Sequence, residues 1–432
     1  VRVLTDEHVE LTANLTSSTP GYESVGNLPA NRAAGFTPIT DLTGTFEGNG
    51  RTISDVQIVY PDLDRIGLFS TIGSAGVLRD VTLTNTSITG DTHVGAIAGV
   101  SRGTVQNVTV DGTITGQSNT GGVVGKSDGG SIEDTKVAGT VTSNKSGQIR
   151  TGGVVGIHRN GAVLNNVTTS VAVFGTQKVG GIAGEVRATA EIRNVSATGN
   201  ASVTGETRVG GIAGEVRADA EIRNVSATGN ASVTGETHVG GIAGITAGVI
   251  HDSITRAVTV SGTNQVGGIA GKVETPTGFT GLSTQILNVS ATGNASVTGE
   301  THVGGIAGIN AGRIRDSAAD IAVTGTDSDF VNVGGVVGKA TGGRIDSVIA
   351  GGTVVGNQSG AKHTGGVVGV HRGGAVVNNI TVTADVFGYE RVGGVVGHLT
   401  DSAIVTNVSV SSEVTGDNRV GGIAGNVDSG SV

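Results

Sequence analysis

Apolar residues along this chain alternate in short runs, and the alternation repeatedly slips phase. Val94 and Ile97 are three residues apart and cannot both face inward on one straight strand. Val105 and Asn107 share one phase, whereas Val108, Val110 and Ile114 share the other. Each slip predicts a corner. Gly95 is expected to supply the unusual dihedrals of the first corner. Asn107, tolerant of the left-handed conformation, is expected at the second, and the polar stretch Gly116–Thr120 at the third. No window carries the period of a long helix.

The same sequence of strands and corners recurs. A six-residue block, [VT]-G-[GA]-[IV]-[AV]-G, begins at Val94, Thr120, Thr151, Val179, Val209 and Val239. It returns at Val266, Val303, Val333, Thr364, Val392 and Val420, on average about 30 residues apart, and a degenerate form, Ile66-Gly67-Leu68-Phe69, precedes them. Segments 179–208 and 209–238 differ only at Thr189/Asp219 and Arg208/His238. A larger duplication relates the blocks at 120, 151 and 179 to those at 333, 364 and 392 with a constant offset of 213 residues. Within it, Thr151–Lys178 and Thr364–Arg391 agree at 17 of 28 positions, including the His-Arg pairs 158–159 and 371–372. Copying in register is what a chain tolerates when each unit only stacks on its neighbours.

A coil of three short strands is too small to fold alone; stacking buries its Val/Ile rows and pairs its backbone above and below. The expectation is therefore an all-β fold: a single elongated β-solenoid (β-helix) of about 13 coils, with roughly 30 residues and three short strands per coil. At about 4.8 Å per coil the stack would be on the order of 60 Å long. Residues 1–60 hold Pro20, Pro29, Pro38, Tyr22, Phe36, Phe46 and Tyr60, a composition unlike the rest, and read as an N-terminal cap or lead-in against end-to-end strand pairing. Its stretch Gly44–Ile53 has strand-turn-strand character. Residues 61–432 read as the repeat solenoid, with a seven-coil duplication inside it. No matching cap follows the last block.

Composition sharpens this picture. There are 77 glycines in 432 residues, 35 of them in the blocks, and only 2% aromatic residues, as a narrow aliphatic column requires. The net charge is −9 with no basic cluster, which argues against nucleic acid as a partner. Seven lysines beside 20 arginines, with acid in excess, fit a salty extracellular setting. Without cysteine there is no disulfide, thiolate metal site or thiol nucleophile. No apolar run is long enough for a membrane-spanning helix. The chain opens at Val1 and stops in mid-pattern at Val432, so it reads as a processed or trimmed piece whose signal or anchor lies outside it.

Repeated V-G-G-[IV]-[AV]-G blocks, each followed by I-x-[ND]-[VS] and V-x-G, resemble the GLUG repeat of secreted and surface proteins. Phe46-Glu-Gly-Asn-Gly-Arg-Thr-Ile53 followed by Ile66-Gly-Leu-Phe69 is similar to the lead-in found before such repeats. The resemblance covers roughly residues 36–432. It implies a β-solenoid of adhesin-like or other cell-surface proteins, sometimes attached to an IgA-peptidase-type metalloprotease domain, which has no counterpart in this chain.

Candidate chemistry is sparse. No H-E-x-x-H, Walker loop or EF-hand pattern is present, and neither a catalytic residue, a cofactor nor a metal site is expected. Gly99-Val-Ser-Arg-Gly103 matches the hydrolase elbow expression but falls in an inter-strand turn rather than before a helix. Asn107 and its equivalents Asp134, Asn166, Asn194, Asn224, Asp252, Asn288, Asp316, Asn379 and Asn407 read as a corner ladder satisfying buried backbone groups rather than as cation ligands. His93, His238, His302 and His363 precede the glycine block where other coils carry Arg150, Lys178, Arg208, Gln265, Arg391 or Arg419. They read as an exposed polar corner in preference to a stripe binding anionic glycans. Among the Asn-x-Ser/Thr acceptors, Asn200, Asn230 and Asn294 sit in turns and are the glycosylation candidates, whereas Asn194 should be too buried. The 37-residue coil from Val266 to Val303 carries an insertion whose Pro276 and Phe279 mark a candidate binding loop.

These observations favour a non-enzymatic extracellular or cell-surface structural module, an adhesin-like rod presenting a repetitive surface for attachment or self-assembly. Its expected partners are cell-surface or extracellular polymers, or further copies of itself. The alternative is a polysaccharide-binding or polysaccharide-processing β-helix, which needs paired carboxylates at a fixed separation. An ice- or crystal-surface binder needs aligned Thr-x-Thr rows, and 113–115, 140–142 and 381–383 do not match in coil position.

Overall fold

A strand built from Thr92–Val94, a corner, a strand over Ala98–Ser101 and a long strand over Thr104–Gly116 form one turn of the chain. The next turn repeats them as Ser118–Gly121, Val124–Asp128 and Ser131–Ser143. Thr120 pairs in parallel with Val94, Val124 with Ala98, and Ile132 with Val105. This computed structural model describes residues 8–19, 37–144, 147, 149–199, 202–229, 231–275, 284–327, 331–356 and 362–432. Among them all regular structure is β-strand, wound as a parallel β-solenoid of about 12 turns of about 30 residues, close to the 13 expected.

The chain divides into two compact units, Val1–Thr204 and Gly205–Val432. In the first, Ile97, Val123, Val154 and Ile182 form a buried row with no exposure, one residue per turn. Phe46 and Phe69 pack edge to face 5.5 Å apart at its early turns. Here Thr45–Ser54 is one strand with a bulge between Glu47 and Arg51, where Asn49 and Gly50 take positive φ, rather than the strand-turn-strand expected. His8–Glu10 pairs in parallel with Thr45–Glu47, so the described part of the opening segment extends the stack.

In the second unit, Ile212, Ile242, Ile269, Ile306, Val336, Val367 and Val395 make the corresponding fully buried row. Val239 lies opposite Val266, Ala243 opposite Ala270 and Val260 opposite Val297. The long face is often split, as at Val249–Arg256 and Thr259–Ser261.

The corners differ from expectation in an instructive way. The block glycines do not take the left-handed conformation. That role falls to the residue ahead of the block: φ is +59° at His93, +54° at Asn119, +48° at Lys178, +56° at Arg208 and +57° at His238. The glycines are needed because backbones meet. A Cβ on Gly121 would stand 2.2 Å from the Val124 carbonyl oxygen and 2.6 Å from that of Val154; on Gly240 it would stand 2.0 Å from that of Ala243. At the second corner Asn107 is left-handed as expected (φ +49°), but the strand continues through it.

Candidate functional site: the corner ahead of the glycine block

The second-corner ladder is a surface feature. The left-handed backbone at Asn107 resets the alternation, turning its side chain outward while Val105 and Val108 both stay buried. Asn166, Asn194, Asn224, Asn288 and Asn407 are exposed in the same way, which corrects both the reading of Asn194 as too buried and that of a ladder serving buried backbone. The side chains bond to one another between turns: Asn107 to Asp80, Asn166 to Asp134 at 2.6 Å, Asn194 to Asn165 at 2.8 Å and Asn288 to Asp252 at 2.6 Å. Asn294 is exposed in the turn between Gln285–Thr292 and Ser296–Gly299. Asn200, Asn230, Pro276 and Phe279 lie outside the described residues.

Ser101 of the elbow-like sequence is 1% exposed inside the strand Ala98–Ser101 and stacks on Ser127, away from any substrate. His158 and His371, related by the 213-residue offset, are fully buried. Each has its Nε2 3.1 Å from a carbonyl oxygen, that of Glu191 or Ile404, and burial pushes each imidazole pKa down to about 4. They act as neutral core donors.

The residue ahead of the glycine block is half-buried in most turns and buried at Asn119 and Lys178, rather than exposed, whether its backbone is left-handed, as at His93, or not, as at Arg150 and His302. There Arg150, His93, His238 and His302 meet the residue that follows the next block, whereas Lys178 meets the one that follows its own. The two positions are matched in charge. Arg150 and Lys178 meet Glu185, with Lys178 at 3.2 Å and Arg187 at 3.9 Å as a third cation. Burial alone would raise the Glu185 carboxyl, but Lys178, Arg150 and Arg187 hold it down to about 2. Where the following residue is itself basic, the preceding one is histidine: His93 beside Lys126, His238 beside Lys272 and His302 beside Lys339. Burial first, and then these lysines, push the three imidazoles down to about 4. His363 stacks on His398 with ring centres 5.1 Å apart. A side chain that can shed its proton is the one a neighbouring lysine tolerates.

One basic station holds its own counter-charge. Asp128 receives Arg159 at 2.9 and 3.1 Å and Lys126 at 3.0 Å. Burial opposes its charge, but these two cations hold its carboxyl well below the usual range. The histidines and matched ion pairs therefore make separate stations, not an uninterrupted cationic stripe. Sequence reading missed Lys126, Asp128 and Arg159. The 213-residue offset, which aligns them with Lys339, Thr341 and Arg372, was the signal that could have found them.

Among the described residues no three His, Asp or Glu side chains converge as a metal site would require. No helix there is long and apolar enough to cross a membrane, which says nothing of strand-built spans.

Glycine blocks close turn after turn of this parallel β-solenoid, and three stretches of the chain match a known repeat motif. The family described as the GLUG motif matches at residues 116–142, 205–234 and 388–415. The chain is similar to halomucin of Haloquadratum walsbyi, 42% identical over 113 residues, which is 25% of this chain and 1% of that protein. It is also similar to a protein described as a Gly-rich membrane protein of Evansella cellulosilytica, 35% identical over 108 residues, 24% of this chain and 11% of that one. The chain thus spans only a small part of either relative. A crystal structure titled as an immunoglobulin A1 protease from Bacteroides ovatus covers 67% of this chain and 78% of its own, at 17% identity and a TM-score of 0.33, too loose a match to bear on fold or activity.

Proposed function

We propose that the chain is a non-enzymatic, extracellular or cell-surface β-helix that serves structurally and attaches to extracellular polymers through its repeated corners. The observation that carries this reading is the recurrence of a polar residue ahead of the glycine block, half-buried in most turns. A solenoid multiplies weak contacts along one edge, and avidity then exceeds the affinity of any one station. Likeness to halomucin and to a Gly-rich membrane protein supports a surface location. Asn294 is the described acceptor for glycosylation, and residues 1–60 are the cap.

Polysaccharide processing fits less well. A glycosidase needs one carboxylic acid able to donate a proton near neutral pH. Glu185, fully buried and held at about 2 by three cations, is a structural counter-ion instead. Binding of the whole chain to immobilised acidic and neutral cell-surface polysaccharides tests the proposal. Saturable, salt-sensitive retention without release of reducing ends is expected. Steady turnover of any of these polymers, or no retention at low salt, would overturn it.

A further inference from the structure

The internal duplication supplies its own control. In the first copy, the strands Val124–Asp128 and Val155–Arg159 bring Lys126 and Arg159 onto the Asp128 carboxylate, with His93 alongside. In the second copy, the strands Val337–Ala340 and Val368–His371 present Lys339 and Arg372 at the same positions, and His302 takes the place of His93. The adjoining glycine pair is also kept, though its first member opens: Gly129 and Gly130 have φ of +87° and +73°, Gly342 and Gly343 +140° and +75°. Asn160, which donates to Asp128 at 2.6 Å, becomes Gly373, and a further difference matters more. Asp128 is replaced by Thr341, so the carboxylate that joins lysine to arginine is gone.

Nothing replaces it. Among the described residues no acidic side chain pairs with Lys339 or Arg372. The Nδ1 of His302 is buried without a partner. Burial, and then Arg372, lower the Lys339 pKa, and burial first, then Lys339 and Arg372, lower that of His302, with no acid opposing them. The corner is half-open, with Arg372 exposed and Lys339 and Thr341 half-buried, so a ligand can approach from solvent.

We propose that Lys339, Arg372 and Thr341, with His302 alongside, form a binding site for the carboxylate of an acidic polysaccharide, which takes the position that Asp128 fills in the first copy. The Asp128 geometry sets the recognition: two parallel hydrogen bonds from the arginine fork and one from the lysine ammonium onto a planar carboxylate. Threonine in place of aspartate removes the competing charge and leaves a hydroxyl that can donate to a sugar oxygen. The site deepens the attachment reading by naming a ligand class and one station, and it rests on that reading only for its biological role.

The test uses the whole chain and a trigalacturonate probe at low ionic strength, with calorimetry for affinity and the His302 ring followed by NMR. Saturable binding with an upward shift of the His302 pKa is expected, because a bound carboxylate favours the imidazolium. Thr341→Asp restores the internal counter-ion, so it should weaken binding at least about tenfold while leaving the fold intact, and Lys339→Gln should do the same. Asp128→Thr should add a second binding equivalent. No saturable binding, or binding indifferent to Thr341→Asp, would overturn the site. Polymer retention that persists in Thr341→Asp would remove this station and leave the attachment reading standing. Trigalacturonate binding without polymer retention would do the reverse.

Discussion

Mild acid should loosen the protein, and His158 in the first unit carries a share of that effect that can be isolated. His158 is fully buried, its Nε2 is hydrogen-bonded to the Glu191 carbonyl, and its pKa falls from 6.5 to about 4 on burial. The unfolded chain therefore takes up a proton near pH 6.5 that the folded chain refuses until about pH 4. Stability is unaffected above that upper value and declines as pH falls through the interval. Linkage gives a loss of about 2 kcal/mol at pH 5, approaching about 3 kcal/mol by pH 4. Glu185 acts in a lower window. Its folded pKa of about 2 lies below the ordinary 4.5 of a glutamate, so its contribution is present above pH 4.5 and lost only below it. The perturbation is His158→Gln, whose amide keeps a donor for Glu191 without titrating. Urea unfolding of both proteins at pH 7.5 and pH 5 isolates the residue, because the other histidines cancel in the difference. The variant should gain on the wild type by about 2 kcal/mol on going to pH 5. A gap that does not change with pH, or an NMR titration placing His158 near 6.5, would refute the reasoning.

Three further outcomes follow from the packing. Gly240→Ala forces a Cβ to 2.0 Å from the Ala243 carbonyl oxygen and should cost more than about 3 kcal/mol in urea unfolding. Gly374→Ala, with φ of +66° and nothing within 4 Å, should cost only about 1 kcal/mol. Glu185→Gln leaves Arg150 and Lys178, both nearly buried, without their carboxylate and should destabilise by about 3 kcal/mol, a loss that thermal unfolding with added sulfate would partly restore.

The repeat, its period, the aliphatic column and the corners at Gly95 and after Gly116 were legible in the sequence, because alternation and its slips report on which residues face inward. The slip at Asn107 marked a left-handed residue inside a strand, while the corner itself falls at Arg102 and Gly103. The way each corner is made was not legible. Gly95 looked like the residue with the unusual backbone, yet His93 takes the positive φ and Gly95 answers to the neighbouring backbone: a Cβ there would lie 2.6 Å from the Val123 carbonyl oxygen. Alternation also placed Asn194 inward, because a left-handed residue breaks the two-residue count that the reading relied on. The stations needed still more. Lys126, Asp128 and Arg159 meet only once the register stacks Asp128 on Arg159, 31 residues away in sequence. The sequence printed both copies of that station, but only the stacking shows that Thr341 stands where a counter-ion belongs.

Cross-linking tests the central claim, that each glycine block closes one in-register turn, most directly. Thr234 and Ser261 are paired one turn apart with their hydroxyl oxygens 3.4 Å from each other, and Ser261 pairs in turn with Thr298. The chain contains no cysteine, so introduced pairs report without background. Under mild oxidation Thr234→Cys with Ser261→Cys should close a disulfide in the folded protein. Thr234→Cys with Thr298→Cys, two turns or about 9.6 Å apart, should not. Efficient bridging of the second pair, or failure of the first, would contradict the account.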